Sequence, residues 1–220
     1  MLFFSNLVLL VVTSIVAYIY YLNGGLLLKG ATSACFVIIG ALNLCYSLRY
    51  CKKAHKGFAS LTFCALLLSM LGDVILNVNF IIGAVIFAFG HVCYVLAFTK
   101  RKAFCKADIL PGSIIFVFSV LFLLFMPTLD FGDQMMQIIC IIYALIISFM
   151  VGKAIANAAF QKSKTDYTAA LGSTLFFVSD MMLVLYVFGG ADSFINTICL
   201  LTYVPAQCIF AVSILPSANE

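Results

Sequence analysis

Long apolar runs alternate with short polar breaks along this chain from one end to the other. A membrane-spanning helix needs about 20 consecutive, mostly apolar residues. Counted on that basis, the pattern predicts eight spans: Leu2–Leu22, Leu26–Leu48, Phe58–Asn77, Phe80–Thr99, Ile109–Met126, Gln134–Ala154, Thr168–Phe188 and Ser193–Leu215. The breaks are short, so consecutive helices are expected to pack as antiparallel neighbours. The first run lacks a basic leader and a small-x-small cleavage site and is long for a signal sequence, which predicts a retained helix. The expected architecture is all-α: one eight-helix transmembrane domain over residues 1–220.

Composition excludes the soluble alternative. Of 220 residues, 65% are hydrophobic and 9% charged, and the mean hydropathy is +1.20. A soluble domain of this length could not hide that much apolar surface. The net charge of +4 is too small to suggest nucleic acid, and it comes from the breaks. Arg49, Lys52, Lys53 and Lys56 follow span two; Lys100, Arg101, Lys102 and Lys106 follow span four; Lys162 and Lys164 follow span six, which ends near Lys153. The opposite breaks carry Asp130, Asp133 and Asp192 and no basic residue. The positive-inside rule then predicts both termini in the cytoplasm. Lys29 breaks the pattern, lying a few residues inside span two from the other face. It either snorkels to the headgroups or faces inward on the small and polar stripe Lys29, Ser33, Gly40, Asn43, Ser47.

Nine cysteines do not make a disulfide framework here. Seven (Cys35, Cys45, Cys64, Cys93, Cys140, Cys199, Cys208) fall in apolar spans, Cys51 and Cys105 fall in basic breaks, and no CxxC pair occurs. Reduced packing residues are expected.

Of eight acidic residues, six have ordinary positions. Asp108 precedes a helix as an N-cap, with Pro111 in the first turn. Asp166 and Asp192 also precede helices, Asp130 and Asp133 sit in a break, and Glu220 is terminal. Asp73 and Asp180 lie within spans, where each charge costs about 2.5–3.5 kcal/mol even on a lenient insertion scale. At 1.5 Å per residue they lie roughly 22 and 18 Å from the cytoplasmic ends of spans three and seven. His91 and Tyr203, from antiparallel spans, come to roughly 15 Å from the outer face. The four side chains share one layer if spans three, four, seven and eight are adjacent.

Ser69, Asp73 and Asn77 repeat at i, i+4, i+8, and Asn196, Tyr203 and Gln207 at i, i+7, i+11, each set on one helical face. His91 and Tyr94 sit near the middle of span four. An Asp-bearing span followed by one with inward polar groups occurs twice, which would suit a duplicated four-helix unit. These groups serve either as interhelical hydrogen-bonding partners or as acid–base and proton-relay machinery. With two histidines, His55 among them in a loop, a three-histidine zinc site cannot be built, and no metal is expected. There is no GxSxG elbow, P-loop or dinucleotide fingerprint. A proton-coupled transporter of a lipid or small molecule stays open beside an enzyme.

Gly72-Asp73, His91 with Tyr94, Ser179-Asp180, Tyr203 with Gln207, and Lys29-Gly30 early in span two, in this order over an eight-span chain, resemble the YhhN-like lysoplasmalogenases. Gly30 departs from the family, which often places proline after the lysine. The resemblance implies hydrolysis of the vinyl ether bond of a lysoplasmalogen to a fatty aldehyde and glycerophosphoethanolamine or glycerophosphocholine, with no cofactor. Asp73 and Asp180 would be the catalytic pair, since an oxocarbenium-like transition state calls for one protonated and one ionised carboxyl, as in glycosidases. His91, Tyr94, Ser69, Asn77, Tyr203 and Gln207 would support them, and Lys29 would bind the substrate phosphate. Met70, Phe87, Phe176 and Phe177 lie on faces suited to the alkenyl chain or to plain core. The expected partners are the lysophospholipid and membrane lipids, in a bacterial inner membrane or an endoplasmic reticulum membrane.

Overall fold

A computed structural model describes residues 2–216, so Glu220 lies outside the described residues. Within them all regular structure is helical: α1 (Leu2–Asn23), α2 (Leu26–Tyr50), α3 (Lys53–Leu76), α4 (Phe80–Arg101), a 3-10 turn at Lys106–Asp108, α5 (Ile109–Phe125), α6 (Gln134–Gln161), α7 (Lys164–Phe188) and α8 (Ser193–Ser213). All eight helices are long and apolar enough to cross a membrane. The chain is an integral, multi-pass membrane protein.

The apolar ends of the helices fall where hydropathy predicts, but α3, α6 and α7 run further at the basic end, to Lys53, Gln161 and Lys164. Hydropathy marks only the part that must avoid water; backbone pairing continues into the interface, where polar side chains are solvated. His55 therefore lies in the first turn of α3 and not in a loop, with its Nε2 2.7 Å from the Ile214 carbonyl oxygen.

Six helices close into a ring in the order α2, α3, α4, α6, α7, α8, with α8 returning to α2; α1 lies outside on α2 and α8, and α5 outside on α6. Consecutive helices are neighbours at every connection except α4–α5. There α6 takes the place beside α4, because it carries the side chains that fasten to it. Asn157 Nδ2 donates to the Phe98 carbonyl at 2.9 Å and Gln161 Nε2 to the Arg101 carbonyl at 2.8 Å. Helix α5 instead lies tight on α6, where a Cβ built on Gly152 would come within 2.4 Å of the Gly112 backbone nitrogen.

Four helix pairings recur between the two halves, while α1·α8 and α3·α8 have no counterpart among the described residues. Contacts α1·α2, α2·α3, α3·α4 and α2·α8 match α5·α6, α6·α7, α7·α8 and α6·α4. A duplicated four-helix unit whose copies enter from the same side would give these four pairings. In it α3, which carries Asp73, corresponds to α7, which carries Asp180.

Ion pairs knit the basic end. Asp108 is not a plain N-cap: its side chain makes no capping bond to α5 but accepts from Lys153 Nζ at 2.8 Å, Lys102 Nζ at 3.0 Å and the Cys105 amide at 2.8 Å. Lys153 is fully buried, so Asp108 supplies the counter-charge that a buried ammonium requires. The Cys105 thiol, 3.0 Å from Lys102 Nζ, and Asp108 together hold that ammonium's pKa above its ordinary value. Asp166 does not precede α7 but lies in its first turn, capped by Ser163, and accepts from Arg101 Nε at 2.7 Å. All nine cysteines are free thiols.

Asp108→Asn is expected to destabilise the protein by about 3 kcal/mol or more, because it leaves buried Lys153 without its counter-charge. Thermal unfolding in detergent should show a clear loss of Tm, larger than for Asp130→Asn in the exposed loop.

Candidate active site

A cavity of about 440 Å³ opens between the helices at the end remote from the basic breaks. The end of α1 (Tyr20, Tyr21), the start of α2 (Lys29, Thr32, Ser33), Asp73 and Leu76 of α3, Phe87 of α4, Ser179, Asp180 and Leu183 of α7, and Asn196, Thr197 and Tyr203 of α8 line it. Its volume is in the range of small-molecule sites. Both intramembrane carboxylates lie on its wall, and both are nearly fully buried, at 4% and 6% exposure.

Each carboxylate is held by two helices besides its own. Asp73 Oδ2 accepts from Ser33 Oγ at 2.5 Å and from the Tyr203 hydroxyl at 2.7 Å. Ser33 belongs to the polar stripe of α2, which turns inward along its length: Asn43 Nδ2 donates to the Ala211 carbonyl at 2.9 Å and Ser47 Oγ to the Ile214 carbonyl at 2.8 Å. The stripe thereby carries Lys29 onto the cavity wall.

Asp180 Oδ2 accepts from the Tyr143 hydroxyl of α6 at 2.6 Å, and His91 Nε2 of α4 lies 3.4 Å from the same oxygen. His91 Nε2 is also 2.7 Å from the Tyr143 oxygen. Since that hydroxyl gives its one hydrogen to Asp180, Nε2 must be the donor to Tyr143. Nδ1 is buried without a hydrogen-bond partner, and the hydrogen bonds run in sequence from His91 Nε2–H to the Tyr143 hydroxyl to Asp180.

The two clusters correspond across the repeat. Ser33 (α2) and Tyr203 (α8) hold Asp73, while Tyr143 (α6) and His91 (α4) hold Asp180, so the equivalent helices supply each partner. The expected layer of α3, α4, α7 and α8 is therefore a layer of six helices. Among the described residues α4 and α7 are not backbone neighbours; Phe176 of α7 bridges them, with its ring 4.7 Å from His91 and 6.1 Å from Phe87. The glycine before Asp73 has a steric role here. A Cβ on Gly72 would sit 2.6 Å from the Phe87 ring, so glycine lets that ring pack closely against α3 at the cavity wall.

Four expected supporting residues stand apart from the carboxylates' polar contacts. Asn77 is the exposed C-cap of α3 and donates to the Asp73 backbone carbonyl, not into the cavity. Tyr94 and Gln207 are fully buried and bonded to each other, hydroxyl to Oε1 at 3.1 Å, and Ser69 is buried outside the cavity lining. They lie about one turn deeper than His91, Tyr203 and Asp73, as i+3 or i+4 spacing on these helices dictates. Of the four apolar candidates only Phe87 lines the cavity; Phe176 is core, with Met70 and Phe177 packed against it. Tyr143, which the sequence reading misses, is a lone hydroxyl in an otherwise apolar stretch of α6.

The sequence profile described as the YhhN family matches residues 24–214. No curated protein and no solved structure matches the chain.

Tyr143→Phe removes the hydroxyl that His91 and Asp180 share and leaves buried polar atoms unpaired. A loss of about 1–3 kcal/mol in stability is expected, read by thermal unfolding, with a change in the His91 ring signals by NMR that Tyr186→Phe, outside the cavity lining, does not produce.

Proposed function

The chain belongs to the YhhN family, and we propose that it is an intramembrane hydrolase cleaving the sn-1 vinyl ether bond of lysoplasmalogens. The products are a fatty aldehyde and glycerophosphoethanolamine or glycerophosphocholine. The observation that carries this reading is the pair of buried carboxylates, Asp73 and Asp180, on one cavity that also holds Lys29.

One carboxyl, protonated, gives its proton to the vinyl carbon remote from oxygen. The double-bond electrons form the new C–H bond, and the ether oxygen shares the positive charge as an oxocarbenium ion. The second carboxyl, ionised, stabilises that cation and takes a proton from the water that attacks it. The resulting hemiacetal collapses to aldehyde and glycerol hydroxyl, with water as the only co-reactant. Low-dielectric burial favours the neutral form of an acid, and two carboxyls in distinct settings suit the division of labour seen at oxocarbenium centres. Ser33, Tyr203, Tyr143 and His91 supply the donors that orient the two groups. Lys29 meets the phosphate.

With the basic end in the cytoplasm, as the loop charges suggest, the cavity faces the other side of a bacterial inner membrane or an endoplasmic reticulum membrane. The repeated neighbour pattern favours a second reading, a proton-coupled lipid or small-molecule transporter, since several carriers are built from parallel repeats.

Aldehyde release from lysoplasmenylethanolamine by the purified protein separates these readings. Asp73→Asn and Asp180→Asn are each expected to lower kcat by roughly 10²–10⁴-fold, the range of a lost general acid or base, with folding retained. Full turnover in both would sink the two-carboxylate mechanism, and substrate flux in proteoliposomes without aldehyde would favour the carrier. Lys29→Ala is expected to raise KM by about tenfold or more at near-normal kcat, the loss of a charge-assisted contact.

A further inference from the structure

The cavity is too small for the whole of a long-chain lipid. Its volume of about 440 Å³ lies toward the lower end of the range of about 300–1,000 Å³ for small-molecule sites. That leaves room for a polar head and its glycerol, but not for a long hydrocarbon chain as well. The chain must leave between helices, and the lining shows where. Tyr21 and Leu22 in the last turn of α1 and Asn196 in the first turn of α8 border the cavity and are themselves exposed. The cavity therefore reaches the protein surface at the seam between α1 and α8.

That seam is fastened near the basic end and loose toward the cavity. Among the described residues of α1 only Asn6 and Thr13 are buried, and the helix rests mainly on α2. Asn6 Nδ2 donates to Asn43 Oδ1 at 2.9 Å, and Asn43 in turn donates to the Ala211 carbonyl of α8. From there an open furrow of about 430 Å³ follows α1, bordered by Leu10, Val11, Ser14, Ile15 and Tyr18. Leu10, Ser14 and Tyr18 recur at i, i+4 and i+8 and share one helical face. That face is turned toward α8, since Leu10 also borders a groove against Ile209 and Val212. At the other end the Tyr18 ring stacks on Tyr21, with centroids 6.5 Å apart, and Tyr21 lines the cavity. The furrow thus continues the cavity. Leu10 and Tyr21 stand roughly 16 Å apart along the helix at 1.5 Å per residue, about half the thickness of a bilayer's hydrocarbon core. Ser14 keeps the furrow shallow-walled, and its hydroxyl is engaged by the Leu10 carbonyl at 2.9 Å.

We propose that this furrow carries the aliphatic chain of the substrate. The lipid then enters sideways from the leaflet on the cavity side, and only its head and the bond to be cleaved pass between α1 and α8 to the carboxylates. The proposal rests on the hydrolytic reading for the identity of the lipid. A chain that stays along the furrow exchanges one apolar surrounding for another, whereas entry through the polar mouth would draw it through water.

The test uses a saturated 1-O-hexadecyl lysophosphoethanolamine with a diazirine at the chain end, in phosphatidylcholine proteoliposomes. The proposed chemistry cannot cleave it, so binding is read whether or not the protein is a hydrolase. Bulk lipid touches every outer face, so the signal is the labelling that excess unlabelled 1-O-hexadecyl lysophosphoethanolamine competes away. Competed labelling is expected on α1 and α8 peptides containing Ser14 or Ile209. Ser14→Phe, which fills the furrow from an exposed position, is expected to lower it about tenfold, as for a tenfold weaker affinity. Val11→Phe, also exposed, gives the same loss and covers the case in which the first variant fails to fold. Val117→Phe, on the exposed face of α5, leaves the labelling unchanged. Competed labelling confined to α4, α5 or α6 overturns the proposal. So does an absence of competed labelling, or full labelling in a folded furrow variant. Failure of the hydrolytic reading alone appears as absent aldehyde release from the vinyl ether substrate, with the competed α1 and α8 labelling retained.

Discussion

A carboxylate within a bilayer must find donors inside the protein, and that requirement shapes this fold. Asp73 and Asp180 cannot be satisfied by their own helices, whose backbone groups are already paired. Each draws on two others, Ser33 and Tyr203 for one, Tyr143 and His91 for the other. Six helices must therefore converge, and the ring is the arrangement in which they do. Helices α1 and α5 contribute no donor to either carboxylate, and they lie outside it.

The opposite end follows the same electrostatic rule with a different result. Lys153 is buried beside Asp108 and Lys102, and Arg101 is clasped to Asp166. These pairs are closed, with partners in place. At the carboxylate end the charged and hydroxyl groups instead border open volume shared with Lys29. That contrast separates a fastening from a site more clearly than the residue types do, since both ends are built from Asp and Lys.

The eight helices were legible in the sequence because crossing a membrane demands an apolar length that few other structures need. Asp73, Asp180, Tyr203 and Lys29 stood out for the same reason, as polar groups where solvation is absent, and all four line one cavity. What could not be read was lateral order. Helical periodicity says which face carries Ser33 or Tyr143 but not which helix that face meets, so the exclusion of α5 from α4 had no local signal. One tyrosine in an apolar run reads as packing, and only the fold places the Tyr143 hydroxyl between His91 and Asp180. Asn77 erred the other way: its i+4 spacing from Asp73 was right, but the helix ends at Leu76 and turns the side chain out of the site.

The two halves match in which helices hold each aspartate but not in what those helices supply. Two copies of one unit related by strict symmetry would surround both carboxyls with the same neighbours. Serine on α2 and tyrosine on α8 hold Asp73, whereas tyrosine on α6 and histidine on α4 hold Asp180. Those differences give the two aspartates unequal surroundings, an inequality that strict symmetry would forbid.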